Sequence, residues 1–297
     1  MRKNRTSPAE LLGLILGSAA ILLTVSALIY VIRVRPFQGA LRLWAPRRLD
    51  WSGPWEREEG VEELEGGFSS LSVANVSGPV QIEGWNENRI RVRWEKQARG
   101  RQALQDLRIQ IERQGQALSV RPIYPTPAGL RFGSVSFQIR VPAGLKEIKV
   151  RNVSGRIQVR GLESEAAQDL ETVSGSIETE RSGDLRLKSV SGSIDFSFAG
   201  SRLSARSISG RISGAIRGLK PGGSVDIDAV SGAVELEAFA GLDAALNLSS
   251  VSGSISCDFP VQILQKKRNR LEGRIGGGAA PLTIKTVSGG IRLKKAE

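Results

Sequence analysis

The chain has no histidine and a single cysteine in 297 residues. Without histidine there can be no Ser-His-Asp or Cys-His site and no His-ligated zinc or haem. The lone Cys257 excludes an intrachain disulfide, a Cys-x-x-Cys redox pair and a thiolate metal cluster. What the chain does have is apolar residues, 40% of the total, enough for a substantial core at this length.

The formal net charge is +12, and its location matters more than its size. Arg2, Lys3, Arg5, Arg33, Arg35, Arg42, Arg47 and Arg48 face only Glu10 and Asp50 in the first fifty residues, so that segment holds half of the excess. Elsewhere bases are interleaved with acids, which argues against nucleic acid as a partner. Between the basic clusters, LLGLILGSAAILLTVSALIYVI at 11–32 is 22 residues without a charge, the length of a bilayer span. A signal peptide is the competing reading, but its apolar region is about 7 to 15 residues and ends at a small-x-small site. Here Ser18, Ala19 and Ala20 sit mid-segment. The sequence therefore predicts one uncleaved N-terminal transmembrane helix. Five arginines follow the segment as well, so orientation is not settled by the positive-inside rule. Trp44, Trp51 and Trp55 then fall in a stretch that turns acidic at EREEGVEELEGG, read as an interfacial belt and a linker packing on the first repeat, with an aromatic partner-binding motif as the alternative.

The dominant signal is repetition. Val76-Ser77-Gly78, Val153-Ser154-Gly155, Val173-Ser174-Gly175, Val190-Ser191-Gly192, Ile208-Ser209-Gly210, Val230-Ser231-Gly232, Val251-Ser252-Gly253 and Val287-Ser288-Gly289 are copies of one tripeptide. Their glycines are 77, 20, 17, 18, 22, 21 and 36 residues apart, and near-equal periods in succession mark a repeat architecture. Apolar parity flips at every copy. In DLRLKSVSGSIDFSF, Leu185, Leu187 and Ser189 are odd, whereas Val190, Gly192, Ile194, Phe196 and Phe198 are even. One strand cannot change phase without turning its core face to water, so each copy is two strands and a corner.

A unit of two short strands cannot bury its own apolar face, but stacked copies can. The predicted fold is all-β, a β-solenoid or a related two-sheet rack of stacked rungs, preceded by the transmembrane helix. The corner valines share the parity of the core residues that follow. The glycine suits close approach between rungs or a positive φ, and the serine hydroxyl is expected outside or bonded along the corner. Lys149 and Arg151, Asp169 and Glu171, Arg186 and Lys188, Ser204 and Arg206, and Asp226 and Asp228 mostly alternate in sign, as lateral neighbours should. Gly273 and Ile275 look like a worn rung carrying the basic loop QKKRNR, and the alternating runs between residues 90 and 141 look like strands that widen or cap the first end. The predicted organisation is a tail at 1–10, an anchor at 11–32, a basic then acidic linker at 33–67 and a repeat domain at 68–297.

NVSGPVQIEGWNENRIRVRWEKQARG near residue 75, the turn at Val141, Pro142 and Gly144, the VSG series and the ending GRIGGGAAPLTIKTVSGGIRL resemble the bacterial putative-adhesin family of β-strand-repeat domains of unknown function. The resemblance covers about residues 68–297. It implies an all-β repeat domain tethered to the cell envelope and exported, with no catalytic residues and no established ligand.

Other chemistry is thinly represented. The eight motif serines are equivalent repeat positions, so a nucleophile is not read there, and a Ser-Lys dyad has no local support. GRIGGGAAPL lacks the Lys-Ser or Lys-Thr of a phosphate loop and reads as a turn. Glu235 and Glu237 share an outward face but lack the acidic glycine-rich loop of a calcium β-roll. Cys257 has inward parity and is expected to be a buried core thiol. The sequence thus predicts a non-enzymatic, membrane-anchored envelope protein, without cofactor, metal or small-molecule substrate. It would display a rigid surface outside the cytoplasm to a protein or envelope-polymer partner. The alternative is an envelope-stress sensor or regulator acting through a membrane partner.

Overall fold

All eight tripeptides lie at corners between strands, as the parity flip requires. The computed structural model describes residues 53–124, 133–162 and 166–296. Each rung contributes one strand to each of two layers, and alternate side chains from both layers meet in one continuous core.

In the first layer, β2 (Ser70–Ser77), β8 (Glu147–Ser154), β10 (Ala167–Ser174) and β12 (Leu185–Ser191) pair in parallel. They are followed by the second halves of β13 (Ile194–Ser209) and β14 (Ile212–Ser231). Leu170 lies opposite both Val150 and Leu187, so every rung keeps its apolar set in one column. The second layer runs from β7 (Gly133–Pro142) through β3 (Val80–Trp85), β9 (Ile157–Arg160) and β11 (Ile177–Ser182) to the first halves of β13 and β14 and then β15 (Val234–Ala238).

The final rungs leave sequence order. The C-terminal strands β20 (Ala280–Ser288) and β21 (Ile291–Lys295) insert beside β14 and β15. The earlier pair, β16 (Ala244–Ser250) and β17 (Ile255–Cys257), is displaced to the outside. Parity could not reveal this, because Leu246 opposite Leu282 and Leu248 opposite Ile284 fit as well as any sequential neighbours.

The ends close with antiparallel strands. At the first end, β1 (Trp55–Glu65) pairs with β4 (Arg89–Arg99), β4 with β7, and β5 (Arg108–Gln114) with β6 (Ala117–Ile123), which borders β2. The runs between residues 90 and 141 are therefore capping strands, as expected. Helix α1 (Arg101–Asp106) buries Ala103 and Leu104 with Ala98. At the far end, β18 (Gln262–Lys267) and β19 (Arg270–Ile275) form a hairpin on β16.

Four expectations are corrected. Among the described residues no helix is long and apolar enough to cross a membrane, so the described fold is all-β with no transmembrane helix in it; the segment 11–32, where one is predicted, lies outside the described residues. The segment around Gly273 and Ile275 is not a rung, because its strand runs antiparallel to β16. The acidic stretch read as linker forms β1, whose glutamates find basic partners on β4. The corner valines are half-buried rather than core residues. The inward position is the residue before each of them, such as Asn152, Thr172 or Ser189, and core parity resumes only after the glycine.

Candidate interaction surface

Each corner is built by its glycine. Gly192 has φ 146°, and a Cβ there would overlap the carbonyl oxygen of Gly175 on the neighbouring rung. The same overlap recurs along the column from Gly155 to Gly289, so positive φ and close approach act together. The Gly192 amide also donates to the Ser209 carbonyl at 3.0 Å, and Gly155, Gly175, Gly210 and Gly232 repeat this bond with Ser174, Ser191, Ser231 and Ser288. The backbone ladder therefore continues round the bend and fixes rung spacing. Ser154, Ser174, Ser191, Ser209, Ser231, Ser252 and Ser288 are exposed, as expected. Gly253, in the displaced last rung, has no positive φ.

Inside the corners runs a file of small residues, all polar but one: Asn75, Asn152, Thr172, Ser189, Ser207, Ala229, Thr286 and Ser250 are consecutive partners across the layer. The asparagines cap this file. Asn75 Nδ2 donates to Val135 O at 2.9 Å and to Gly78 O at 3.0 Å, and Asn152 Nδ2 donates to Gly78 O at 3.0 Å. The hydroxyls of Thr172, Ser189, Ser207 and Thr286 make no hydrogen bond among the described residues. Stacked strands lie about 4.8 Å apart, too far for one hydroxyl to reach the next.

Outside, the first layer carries two columns of charge. The predicted lateral register holds: Asp169 lies opposite Lys149 and Arg186, and Glu171 opposite Arg151 and Lys188. Glu171 is only 7% exposed and is held by Lys188 at 2.7 Å and Arg151 at 3.1 Å. Arg206 binds Asp228 at 3.4 Å and Asp226 at 3.8 Å. Burial and the neighbouring Glu171 raise the Asp169 carboxyl above its ordinary value. Asp228 is raised likewise by burial and by Asp226. The result is a face of mixed sign whose charged groups recur at strand spacing. On the second layer, Arg160 joins Glu178, which is held below its usual value by that guanidinium and by Gln158. Trp85 lies under Arg91, Arg89 and Arg140 at 5.1, 5.5 and 5.8 Å, a cluster that the sequence reading missed because its members come from β3, β4 and β7.

The remaining candidates resolve into structure. The Gly276-Gly277-Gly278 turn is occupied by its own chain: Asp243 accepts from Gly278 N at 2.5 Å and Ala279 N at 3.0 Å. Glu237 pairs with Arg217 at 3.0 Å, and Glu235 lies opposite Arg292. Cys257 packs against the core from an edge strand and is half-buried, not the sealed thiol expected; burial still pushes its pKa up. Trp55 is exposed, with Arg99 5.5 Å from its ring, while Trp44 and Trp51 lie outside the described residues.

Corners, stacked rungs and end caps define a two-layer β-repeat protein. Its sequence matches the Toastrack family model, DUF4097, over residues 65–294, and the chain belongs to that family. No curated protein matches the sequence. Among solved structures, a putative cell adhesion protein from Clostridium sporogenes is similar at 11% identity and TM-score 0.40, covering 81% of this chain and 100% of its own. A putative adhesin from Bacteroides fragilis is similar at 12% identity and TM-score 0.37, covering 80% and 97%. One from Parabacteroides distasonis is similar at 10% identity and TM-score 0.31, covering 82% and 98%.

Proposed function

We propose that the repeat domain is a rigid, non-enzymatic binding surface of the cell envelope, displayed outside the cytoplasm to a repetitive envelope polymer. The observation that carries this reading is the outer face of the first layer. Its parallel strands keep one register from β2 to β20, so Lys149, Arg151, Glu171, Arg186, Lys188 and Lys285 form a fixed lattice rather than a loop-borne site. The corner bonds hold that lattice without ligand, which lowers the ordering cost of binding an extended partner. A partner whose charged groups repeat could engage several rungs at once and gain by multivalency what each exposed contact lacks.

The test is co-sedimentation of the full chain with isolated peptidoglycan sacculi. Saturable binding that weakens when Arg186→Glu and Lys285→Glu are combined supports the reading. Absence of binding by the folded chain, or binding indifferent to both substitutions, overturns it. Digestion of the domain by protease added to spheroplasts is expected for an exported domain, and protection until lysis would refute the placement.

A further inference from the structure

Beyond that lattice, the geometry points to the β18–β19 hairpin as a docking element for the surface of an anionic phospholipid bilayer. The first layer overhangs the second here. The second layer ends at β17, which faces β16, whereas the first continues through β19 to β18. Ile263 lies opposite Gly273 and Lys266 opposite Leu271, so both have core parity, yet no strand of the second layer faces them. Leu264 is the extra residue of a bulge between Ile263 and Gln265 and is thrown out of the pairing. Ile263 is consequently 53% exposed and Leu264 71% exposed, two of the four large apolar side chains on the described surface that are exposed.

Charge at the hairpin turn beyond the pair has one sign. Lys266, Lys267 and Arg268 lead into the hairpin turn and are exposed, and none has an ion-pair partner among the described residues. Glu272, opposite Gln265, holds Arg270 at 2.5 Å. Lysines on an edge strand also discourage edge-to-edge pairing, but that role accounts for the cations and leaves the two protruding aliphatics unexplained. A polyanion would likewise use the cations alone. A bilayer interface uses both, because aliphatic side chains enter the acyl boundary while cations meet the headgroups. The bulge meanwhile interrupts the edge as a template for an added strand.

The test keeps the full chain and reads the site locally, so that binding through residues outside it does not register. With Cys257→Ala and Leu264→Cys, an environment-sensitive fluorophore is placed at 264. Vesicles of phosphatidylcholine with about a third phosphatidylglycerol should shift its emission to the blue, while phosphatidylcholine alone should not. Replacing Lys266, Lys267 and Arg268 by Gln should raise the lipid concentration needed for half the shift by about a hundredfold at low salt, at roughly fivefold per cation. Circular dichroism should show the fold intact. No shift on anionic vesicles, an equal shift on neutral ones, or a shift unaffected by the triple replacement overturns the proposal. So does an equal shift with soluble polyphosphate, or one that depends on protein concentration without lipid, since these mean a polymer site or self-association. Sacculus binding is read on separate residues, so either result stands if the other fails.

Discussion

At its N-terminal end the rack finishes with an acidic strand laid on a basic one, whereas at its C-terminal end a basic hairpin finishes it with no acidic strand outside. Glu63 of β1 binds Arg89 and Arg91 of β4 at 2.7 and 2.6 Å, Glu59 binds Arg93 at 2.8 Å, and Glu58 reaches Lys96 at 3.0 Å. The Lys96 ammonium is buried beneath α1 and also donates to Leu107 O at 3.0 Å. Among the described residues nothing comparable meets Lys266 and Lys267. Both ends solve the edge-strand problem, one by pairing its charges within the fold and the other by leaving them for solvent or a partner. The first arrangement stabilises; the second leaves free energy available for binding.

The largest expected difference lies between an interior corner and the last one. Gly192→Ala puts a Cβ against backbone that is fixed on both sides, at φ 146°. It should cost more than about 3 kcal/mol, from the left-handed conformation and the forced shift together. Gly253→Ala meets Gly289 O too, but without a positive φ and on the outermost rung, which can move outward. Its cost should be less than half as large, read as urea-midpoint shifts. Equal costs would mean that the C-terminal end is as rigid as the middle.

Lys96 and Lys266 make the charge comparison testable. Lys96→Met strands the Leu107 carbonyl and the Glu58 pair and should cost about 1 to 3 kcal/mol. Lys266→Gln with Lys267→Gln should change stability by less than about 0.5 kcal/mol, as exposed surface substitutions do. A large loss at the hairpin would show that its cations belong to the fold.

The polar file inside the corners differs along its length in the same sense. Asn152→Ala removes the donor to Gly78 O and Gly155 O, with an expected loss of about 1 to 3 kcal/mol. Ser207→Ala removes a buried hydroxyl without a partner and should be neutral or stabilising, by up to about 1 kcal/mol. Ala229 already occupies the adjoining position. A clear loss at Ser207 would reveal a hydrogen bond that the fold satisfies in another way.

Much of this was legible in the residues, and the failures share a cause. Period-two parity located every corner, and alternating charge predicted the lateral neighbours of Asp169 and Glu171. Parity could not say which rung lies beside which, because a set such as Leu246 and Leu248 matches any other, so the insertion of β20 between β14 and β16 was hidden. It also misassigned the valines: the corner itself turns the chain, and Val190 is left half-buried while Ser189 is fully buried. Ile263 and Leu264 were visible as an apolar pair beside Lys-Lys-Arg. Their exposure depends on where the second layer stops, and no local pattern encodes that.

The last comparison concerns Asp228, on the charged face between the two ends, before and after its carboxyl loses its proton. Its carboxyl is raised by burial and by Asp226, while Arg206 and Lys285 pull it down without prevailing. A carboxyl raised in the fold is bound more tightly to its proton there than in the unfolded chain, so its contribution to stability is complete below the unfolded value near 3.9 and is lost as pH rises through the folded value. Asp169 acts in the same direction. Glu178, held low, acts oppositely, losing stability as pH falls through its folded value, but it lies near the surface and solvent screens it. Asp228→Asn should therefore raise the stability read from the urea midpoint at pH 7 slightly, by less than about 1 kcal/mol, and leave it unchanged at pH 3.5. A loss at pH 7 would mean that the Arg206 pair outweighs burial. The face would then be held together by its charges rather than merely carrying them, and its cations would be less free to meet a polymer.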